Sequence, residues 1–501
     1  MSEARQRPVR GRTKSQLAGL FGGLAVAVAL SASPVPEGLS VAGWRTAALG
    51  LCMGIWWATE ALPVAATGLV PIAVFPVLGI AGVESATAPY AEPTIYLFLG
   101  GFMVALALQR WGLHRRVALT VTAAFGGSGS ALVGGFMVAS AVVSMWVTNT
   151  ATAMMMLPIA ASVVTIVGEN LETPEARRNF PVAMLLGVAY GATVGGLATL
   201  VGTPPNALLA AFLAKTYSIE IGFAQWMLLG VPLTAVLLPL CWWLLTHRVY
   251  PVRFSTGGRA RQHLRQLKAD LGPLRTPEWR LLLVFAGLAA GWGFRPLLSK
   301  IDALSGLSDA GLAILAAIAL FVIPSGEAGR RDGDASGGSG ASAGLLSWPD
   351  VRDLPWGLLL LFGGGLSLAS AVSDTGLAEW LGQQLLGLRL TELSVLVVTV
   401  TVLIIFLTEL TSNTATAATF LPVVAAVAVE AGFAPTSLAV PAALAASCAF
   451  MLPVATPPNA VVYGSGMLTI PQMVRAGFWL NLIAIVVVSL FAVTVVPWVL
   501  G

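Results

Sequence analysis

Charge is what this chain lacks most. Of its 501 residues only 10% are Asp, Glu, Lys or Arg, against 57% hydrophobic, with a mean hydropathy of +0.85. So many long apolar runs exclude a water-soluble domain. Cysteine and histidine are scarcer still, with three of each. Cys52, Cys241 and Cys448 all fall within apolar segments and have no metal-type spacing. That excludes a disulfide framework and a zinc site and leaves packing as their role. An intramembrane enzyme needs a nucleophile beside a base, or a metal cluster. His114, His247 and His263 stand at the ends of apolar runs and no two acids share a motif, so no enzyme is expected.

What is present is hydrocarbon. Runs such as 281–298 and 474–500 are long enough, at about 1.5 Å per residue, to cross a core roughly 30 Å thick. They are apolar on every face and rich in Ala, Leu and Gly, where a β-barrel shows short alternating strands. The expected fold class is an all-α polytopic membrane protein. Eleven crossings are read near 16–32, 44–62, 64–82, 93–110, 181–199, 223–247, 280–298, 310–324, 354–373, 437–454 and 475–499. The basic start, Arg5 to Lys14, followed by an apolar stretch and Ser31-Ala32-Ser33, resembles a secretory signal. An uncleaved first span fits better.

With the amino terminus cytoplasmic, only Arg45, Lys215, Arg295, Lys300 and Arg389 of the 27 basic residues fall outside. The positive-inside rule therefore selects this orientation, with the carboxyl terminus outside and the inner, plasma membrane as location. The net charge of +4 follows from topology and implies no nucleic acid. The basic connector 248–280 is read as a solvated cytoplasmic face near membrane lipid, with anionic lipid heads as the alternative partner.

Two segments, 130–167 and 393–429, are too long for one crossing and are broken at mid-length by Thr148-Asn149-Thr150 and Ser412-Asn413-Thr414. Each reads as a re-entrant hairpin, because irregular backbone at membrane depth survives only where protein or a wet cavity satisfies it. Thr203-Pro204-Pro205-Asn206 and Thr456-Pro457-Pro458-Asn459 interrupt two further apolar helices, since proline lacks the N–H and clashes with the preceding turn. The residues from Gly100-Gly101 to Pro158 align without a gap to those from Gly364-Gly365 to Pro422, a constant offset of 264 positions. The chain is thus an internal duplication. Five crossings between the hairpins make the repeats inverted. The expected organisation is a tail and first helix at 1–43; a first repeat at 44–250 with hairpin 130–167 and broken helix 181–214; and a connector at 251–279. A second repeat follows at 280–501 with flexible loop 325–348, hairpin 393–429 and broken helix 437–467.

Helices that start at such breaks point unpaired N–H groups and partial positive charge at whatever lies there, favouring an anion. Helix carboxyl ends, unwound carbonyls and Ser, Thr and Asn oxygens suit a small hard cation. The motifs contain no Lys, Arg or His, so a bound anion must be offset by dipoles and a co-bound cation. Glu60 and Glu409 are costly acids at membrane depth and are functional candidates, Glu409 the better one. Met154, Met155 and Met156 are read as hairpin packing, and Gly100-Gly101 and Gly363-Gly364-Gly365 as close helix contacts.

The two tripeptides, each followed by Ala-Thr, together with the paired Thr-Pro-Pro-Asn loops, resemble the divalent anion/sodium symporter family from about residue 40 to the end. The resemblance implies a homodimer of two inverted repeats in which hairpins and broken helices move as an elevator against a scaffold. It implies one sodium site at Ser144, Thr148, Asn149 and the Gly202 carbonyl. A second would lie at Thr408, Thr411, Asn413 and the Ala455 carbonyl. Substrate carboxylates would meet Asn149, Thr150, Thr203, Pro204, Ser412, Asn413, Thr414, Thr456 and Pro457. Thr148 departs from the family's usual Ser, keeping the hydroxyl and adding a methyl. The function implied is sodium-coupled symport of a small divalent anion, a C4-dicarboxylate such as succinate, malate or fumarate. A sulfate carrier or a sodium-independent dicarboxylate exchanger shares this architecture, and an anion channel is the reading from another class.

Overall fold

A computed structural model describes residues 13–125, 127–169, 171, 173–256, 258–326, 344–386 and 392–500. Arg5, Arg7, Arg10, Arg12, Arg389 and most of the expected loop 325–348 lie outside the described residues. The described chain is helical, with strand pairing limited to the isolated bridges Ser128–Ser255 and Pro324–Gly344. Its principal helices are α1 (Lys14–Ala32), α2 (Val41–Thr59), α3 (Pro93–Arg110), α4 (Leu113–Thr122), α5 (Gly129–Ser144), α6 (Asn149–Gly168), α7 (Pro174–Gly196), α8 (Pro204–Tyr217) and α9 (Phe223–Trp243). They continue as α10 (Thr276–Leu298), α11 (Asp309–Val322), α12 (Trp356–Asp374), α13 (Leu377–Leu386), α14 (Leu393–Thr408), α15 (Asn413–Glu430), α16 (Thr436–Ala446), α17 (Pro457–Tyr463) and α18 (Ile470–Thr494).

Nine helices among the described residues are long and apolar enough to cross a membrane, and two of them, α6 and α15, are arms of the hairpins. Three expected spans are shorter than read from the sequence. The segment at 64–82 divides into Val64–Thr67 and Val70–Leu78. Between them the Tyr90 hydroxyl donates to the Gly68 carbonyl, and Pro71 brings no N–H. The span at 310–324 is the 14-residue α11, and that at 437–454 stops at Ala446. At the end of α9 the last turn widens into a π-helix, Leu244–Val249, whose Thr246 hydroxyl bonds back to the Trp242 carbonyl at 2.8 Å.

The hairpins form as the motifs dictate. Ser144 ends α5 and Asn149 starts α6; Thr408 ends α14 and Asn413 starts α15. Thr148 caps α6 by accepting from the Ala151 N–H at 3.4 Å. Helix boundaries repeat at the 264-residue offset: α4 onto α13, α5 onto α14, and the start of α6 onto the start of α15. Gly112 and Gly376, the residues before α4 and α13, both adopt the left-handed region at φ +70° and +77°. Only glycine enters that region without a steric penalty, so the two copies share a turn as well as a motif.

Burial sorts the helices into centre and rim. In α7, 94% of the apolar window is buried inside the protein, against 11% for α1 and 17% for α10, whose apolar faces are left for lipid. The centre is dense because α7 is studded with glycine. A Cβ at Gly195 would lie 2.4 Å from the Ala141 backbone, and one at Gly191 2.6 Å from the Met137 carbonyl oxygen, so α5 and α7 touch backbone to backbone. Among the described residues the main apolar core runs from Leu49 to Val496 and joins both halves of the chain, with a small satellite of Cys52, Trp56 and Ala61.

Candidate functional site: two oxygen cages at paired helix breaks

α7 and α8 are separated by 197–203, and α16 and α17 by 447–456. Unwound backbone inside an apolar core must be satisfied, and the fourth residue of each Thr-Pro-Pro-Asn motif does this. Asn206 Nδ2 donates to the carbonyls of Gly196, Leu197 and Thr199 at 3.2, 3.4 and 2.9 Å. Asn459 Nδ2 donates to Ala449 and Leu452 at 3.4 and 3.0 Å. Both asparagines are fully buried. Sequence reasoning left them out of the site, although the fourth position of a repeated tetrapeptide was the available signal.

Each hairpin tip leans on the break of its own half. Ser144 Oγ donates to Asn149 Oδ1 at 2.6 Å. The same amide position lies 3.2 Å from the Gly202 carbonyl oxygen and 3.3 Å from that of Ala192. In the second half Thr408 Oγ1 donates to the Ala446 carbonyl at 2.9 Å and stands 2.8 Å from the inward end of the Asn413 amide. The Asn413 amide position is 3.3 Å from the Ala455 carbonyl and 3.2 Å from that of Ala446. In both copies, then, one end of a carboxamide faces a hydroxyl and two carbonyl oxygens. Reversing the amide would put Nδ2 there as a donor. Reversed, each amide is satisfied by the three oxygens around it, Asn149 Nδ2 by Ser144, Gly202 and Ala192 and Asn413 Nδ2 by Thr408, Ala455 and Ala446. With the carboxamide oxygen turned inward instead, the set is all oxygen, the chemistry that suits a small hard cation. The Ala192 and Ala446 carbonyls were not legible in the sequence, because a backbone oxygen carries no residue-type signal.

Gly196 makes the first cage possible. A Cβ there would stand 2.6 Å from Asn149 Oδ1 and 3.1 Å from the Gly202 oxygen. Gly202 in turn meets Gly196 backbone, a Cβ at 202 lying 2.4 Å from the Gly196 oxygen. Only a pair without side chains lets the break fold back this tightly.

Four helices begin at motif residues: α6 and α15 at Asn149 and Asn413, α8 and α17 at Pro204 and Pro457. Prolines at the first two positions of α8 and α17 remove two of the four N–H groups an amino terminus exposes. Donors for an anion therefore come chiefly from α6 and α15, while all four ends contribute dipole. The halves interlock. α6 packs against α17, and α15 against α8. Thr203 Oγ1 lies 3.5 Å from Ser447 Oγ across the two breaks, and the Tyr190 hydroxyl donates to the Phe450 carbonyl at 2.9 Å. Among the described residues no hydrogen bond joins one hairpin tip to the other.

The remaining expected residues fall in distinct places. Thr150, Ser412, Pro204 and Thr148 are half-buried, Thr203, Thr414 and Thr456 are buried, and Pro457 is exposed. Thr411 faces away from the Asn413 amide: its hydroxyl donates to the Leu407 carbonyl at 3.0 Å and pairs with Thr416 at 2.6 Å. It lines a separate cleft of about 250 Å³ with Gly50, Gly54 and Thr419. Glu60 is exposed at the left-handed carboxyl cap of α2, φ 48°, so it does not stand within the core. Glu409 is buried, and its carboxylate accepts from the N–H groups of Phe450, Met451 and Leu452 and from Asn481 Nδ2. It clamps the second break and offers nothing directly to a ligand.

Known proteins share the fold and much of the sequence. A family profile described as the sodium:sulfate symporter transmembrane region matches residues 14–500. A protein of Staphylococcus saprophyticus named sodium-dependent dicarboxylate transporter SdcS is 39% identical over 490 residues, covering 97% of this chain and 92% of that one. Its namesake from Staphylococcus aureus strain USA300 is 39% identical over 477 residues, covering 93% and 88%. Among solved structures, the Alcanivorax borkumensis YdaH transporter superposes over 98% of this chain and 100% of its own, with a TM-score of 0.55 at 15% identity. That likeness is one of fold alone. On the match from residue 14 to residue 500, this chain belongs to the sodium:sulfate symporter family of integral membrane transporters, the divalent anion/sodium symporters.

Proposed function

We propose that the protein is a sodium-coupled symporter of a C4-dicarboxylate such as succinate, malate or fumarate. The observation that carries the sodium reading is the duplicated cage: Asn149 with Ser144 and the Gly202 and Ala192 carbonyls, and Asn413 with Thr408 and the Ala455 and Ala446 carbonyls. With the carboxamide oxygen turned inward each cage offers four oxygens, a set that fits a hard monovalent ion, and two cages imply two sodium sites. Sodium bound there supplies positive charge beside a site whose motifs hold no Lys, Arg or His.

The chain's own residues do the rest. Asn149, Thr150, Ser412, Asn413 and Thr414 present side-chain donors and the amino ends of α6 and α15 to the two carboxylates. Thr203 and Thr456 directly precede α8 and α17, Thr456 capping α17 with its side chain, and put Pro204 and Pro457 at the same rim. Because the anion is offset by cations and dipoles instead of by a fixed basic side chain, binding of the two species is coupled and reciprocal. The dicarboxylate choice is supported by the names of the two staphylococcal relatives.

The same reading takes the amino terminus as cytoplasmic, on the distribution of basic residues, and the working unit as a homodimer in a lipid bilayer. It takes the interlocked hairpins and broken helices as the moving body, with poorly buried helices such as α1 and α10 as its surround. Uptake of labelled succinate into proteoliposomes tests the function. An inward sodium gradient should drive accumulation, unlabelled malate and fumarate should compete, and excess sulfate should not. Uptake indifferent to sodium would leave an exchanger, and uptake abolished by sulfate would leave a sulfate carrier.

A further inference from the structure

Among the described residues two acidic side chains are less than a tenth exposed, Glu278 and Glu409. Glu278 has a counter-ion, Arg116, at 3.0 Å. Among the described residues Glu409 has none. Its five short contacts are all to neutral donors: Oε1 receives Phe450 N at 2.7 Å, Met451 N at 2.9 Å and Asn481 Nδ2 at 2.8 Å. Oε2 receives Met451 N and Leu452 N, both at 3.1 Å. Donors on both oxygens leave no acceptor for a carboxyl proton, an arrangement that favours the ionised group. A buried carboxylate held only by neutral donors still carries a full charge in a poorly polarisable surround, which favours a cation nearby.

The place of that cation follows from the chain. Glu409 succeeds Thr408, whose hydroxyl belongs to the second cage. The peptides it grips, 450–452, lie inside the break 447–456, between Ala446 and Ala455, whose carbonyls turn toward Asn413. The first half has no equivalent. The residue 264 positions before Glu409 is Met145, and there the break is tied by a neutral bond, Thr199 Oγ1 to the Met145 carbonyl at 2.6 Å.

We propose that Glu409 is the charge partner of a cation held by Thr408, Asn413 and the carbonyls of Ala446 and Ala455, so that the second cage takes sodium more tightly than the first. Glu409 does not touch the ion; it acts through its field and is a positioning and charge-setting residue. The assignment rests on the sodium reading given above.

The test is sodium-dependent thermal stabilisation of the purified chain in detergent, titrated with sodium chloride against choline chloride at constant ionic strength. This readout needs no transport. Glu409→Gln removes the charge and should raise the sodium concentration for half-maximal stabilisation by about tenfold or more, the effect of one unit charge acting through a partly polar interior. Glu409→Asp keeps the charge and should stay within about threefold of the parent. Overlapping titrations of the parent and Glu409→Gln overturn the assignment, as does an equal shift in Glu409→Asp, which would mark a disturbed break and no charge effect. Should Glu409→Gln not fold, Asn481→Ala takes its place beside Glu409→Asp. Asn481→Ala deletes a neutral bond and keeps the charge, so its midpoint should remain near the parent's, and a tenfold shift overturns the proposal. A parent chain that sodium does not stabilise overturns the sodium reading itself, which the variant pattern does not.

Discussion

A carboxamide turned toward a hydroxyl and two carbonyls is the unit of the proposed site, and it occurs twice. Replacing Asn149 or Asn413 with alanine deletes that carboxamide and should lower succinate uptake by at least about tenfold each, with the detergent-solubilised protein still monodisperse by size-exclusion chromatography. Uptake at the parent rate in either variant would remove that side chain from the site. Gly196→Ala should act on the first cage without touching a ligand, because its Cβ would occupy space 2.6 Å from Asn149 Oδ1. Its signature is a lost or weakened sodium-dependent stabilisation in a protein that otherwise folds. Asn206→Ala and Asn459→Ala belong to stability: each strands buried carbonyls at a break and should cost about 1–3 kcal/mol, read as a lowered Tm. At this scale the motifs were legible, since Asn-Thr and Thr-Pro-Pro-Asn recur in a chain with little other polarity. Hidden from the sequence were the Ala192 and Ala446 carbonyls, the need for Gly196, and the direction of Thr411, which faces Thr416. These depend on where backbone folds back, which no single residue type announces.

At the level of helices, proline and glycine decide most of the outcome. Paired prolines start α8 and α17 where a continuous helix would have lost two hydrogen bonds and clashed with its preceding turn. The glycines of α7 allow α5 to lie against it at backbone distance, which sets the first hairpin beside its break. Gly195→Val should therefore separate α5 from α7 and destabilise the fold by about 1–3 kcal/mol, with a lower Tm and lost uptake. A Tm equal to the parent's would show that the helices can part without cost. Hairpins and breaks could be read from the sequence because Thr-Asn-Thr within an apolar run needs polar partners at membrane depth, and a re-entrant turn against a broken helix supplies them. The division of 64–82 was not legible, since it depends on Tyr90 reaching the Gly68 carbonyl from a later segment. Nor was the π-turn at the end of α9.

For the molecule as a whole, the decisive relation is between its halves. The duplication at a constant offset was visible in the sequence and extends in the structure to helix boundaries and to the left-handed glycines 112 and 376. The interlocking, α6 on α17 and α15 on α8, arises from packing that connects residues hundreds of positions apart. On the proposed function this arrangement makes one site from two half-sites, so damage to either half should silence both. The most direct test is thermal stabilisation by succinate, measured in sodium and in potassium for the parent, Asn149→Ala and Asn413→Ala. The account predicts that succinate stabilises the parent only when sodium is present and stabilises neither variant in either salt. Stabilisation of the parent in potassium, or undiminished stabilisation of either variant in sodium, would contradict it.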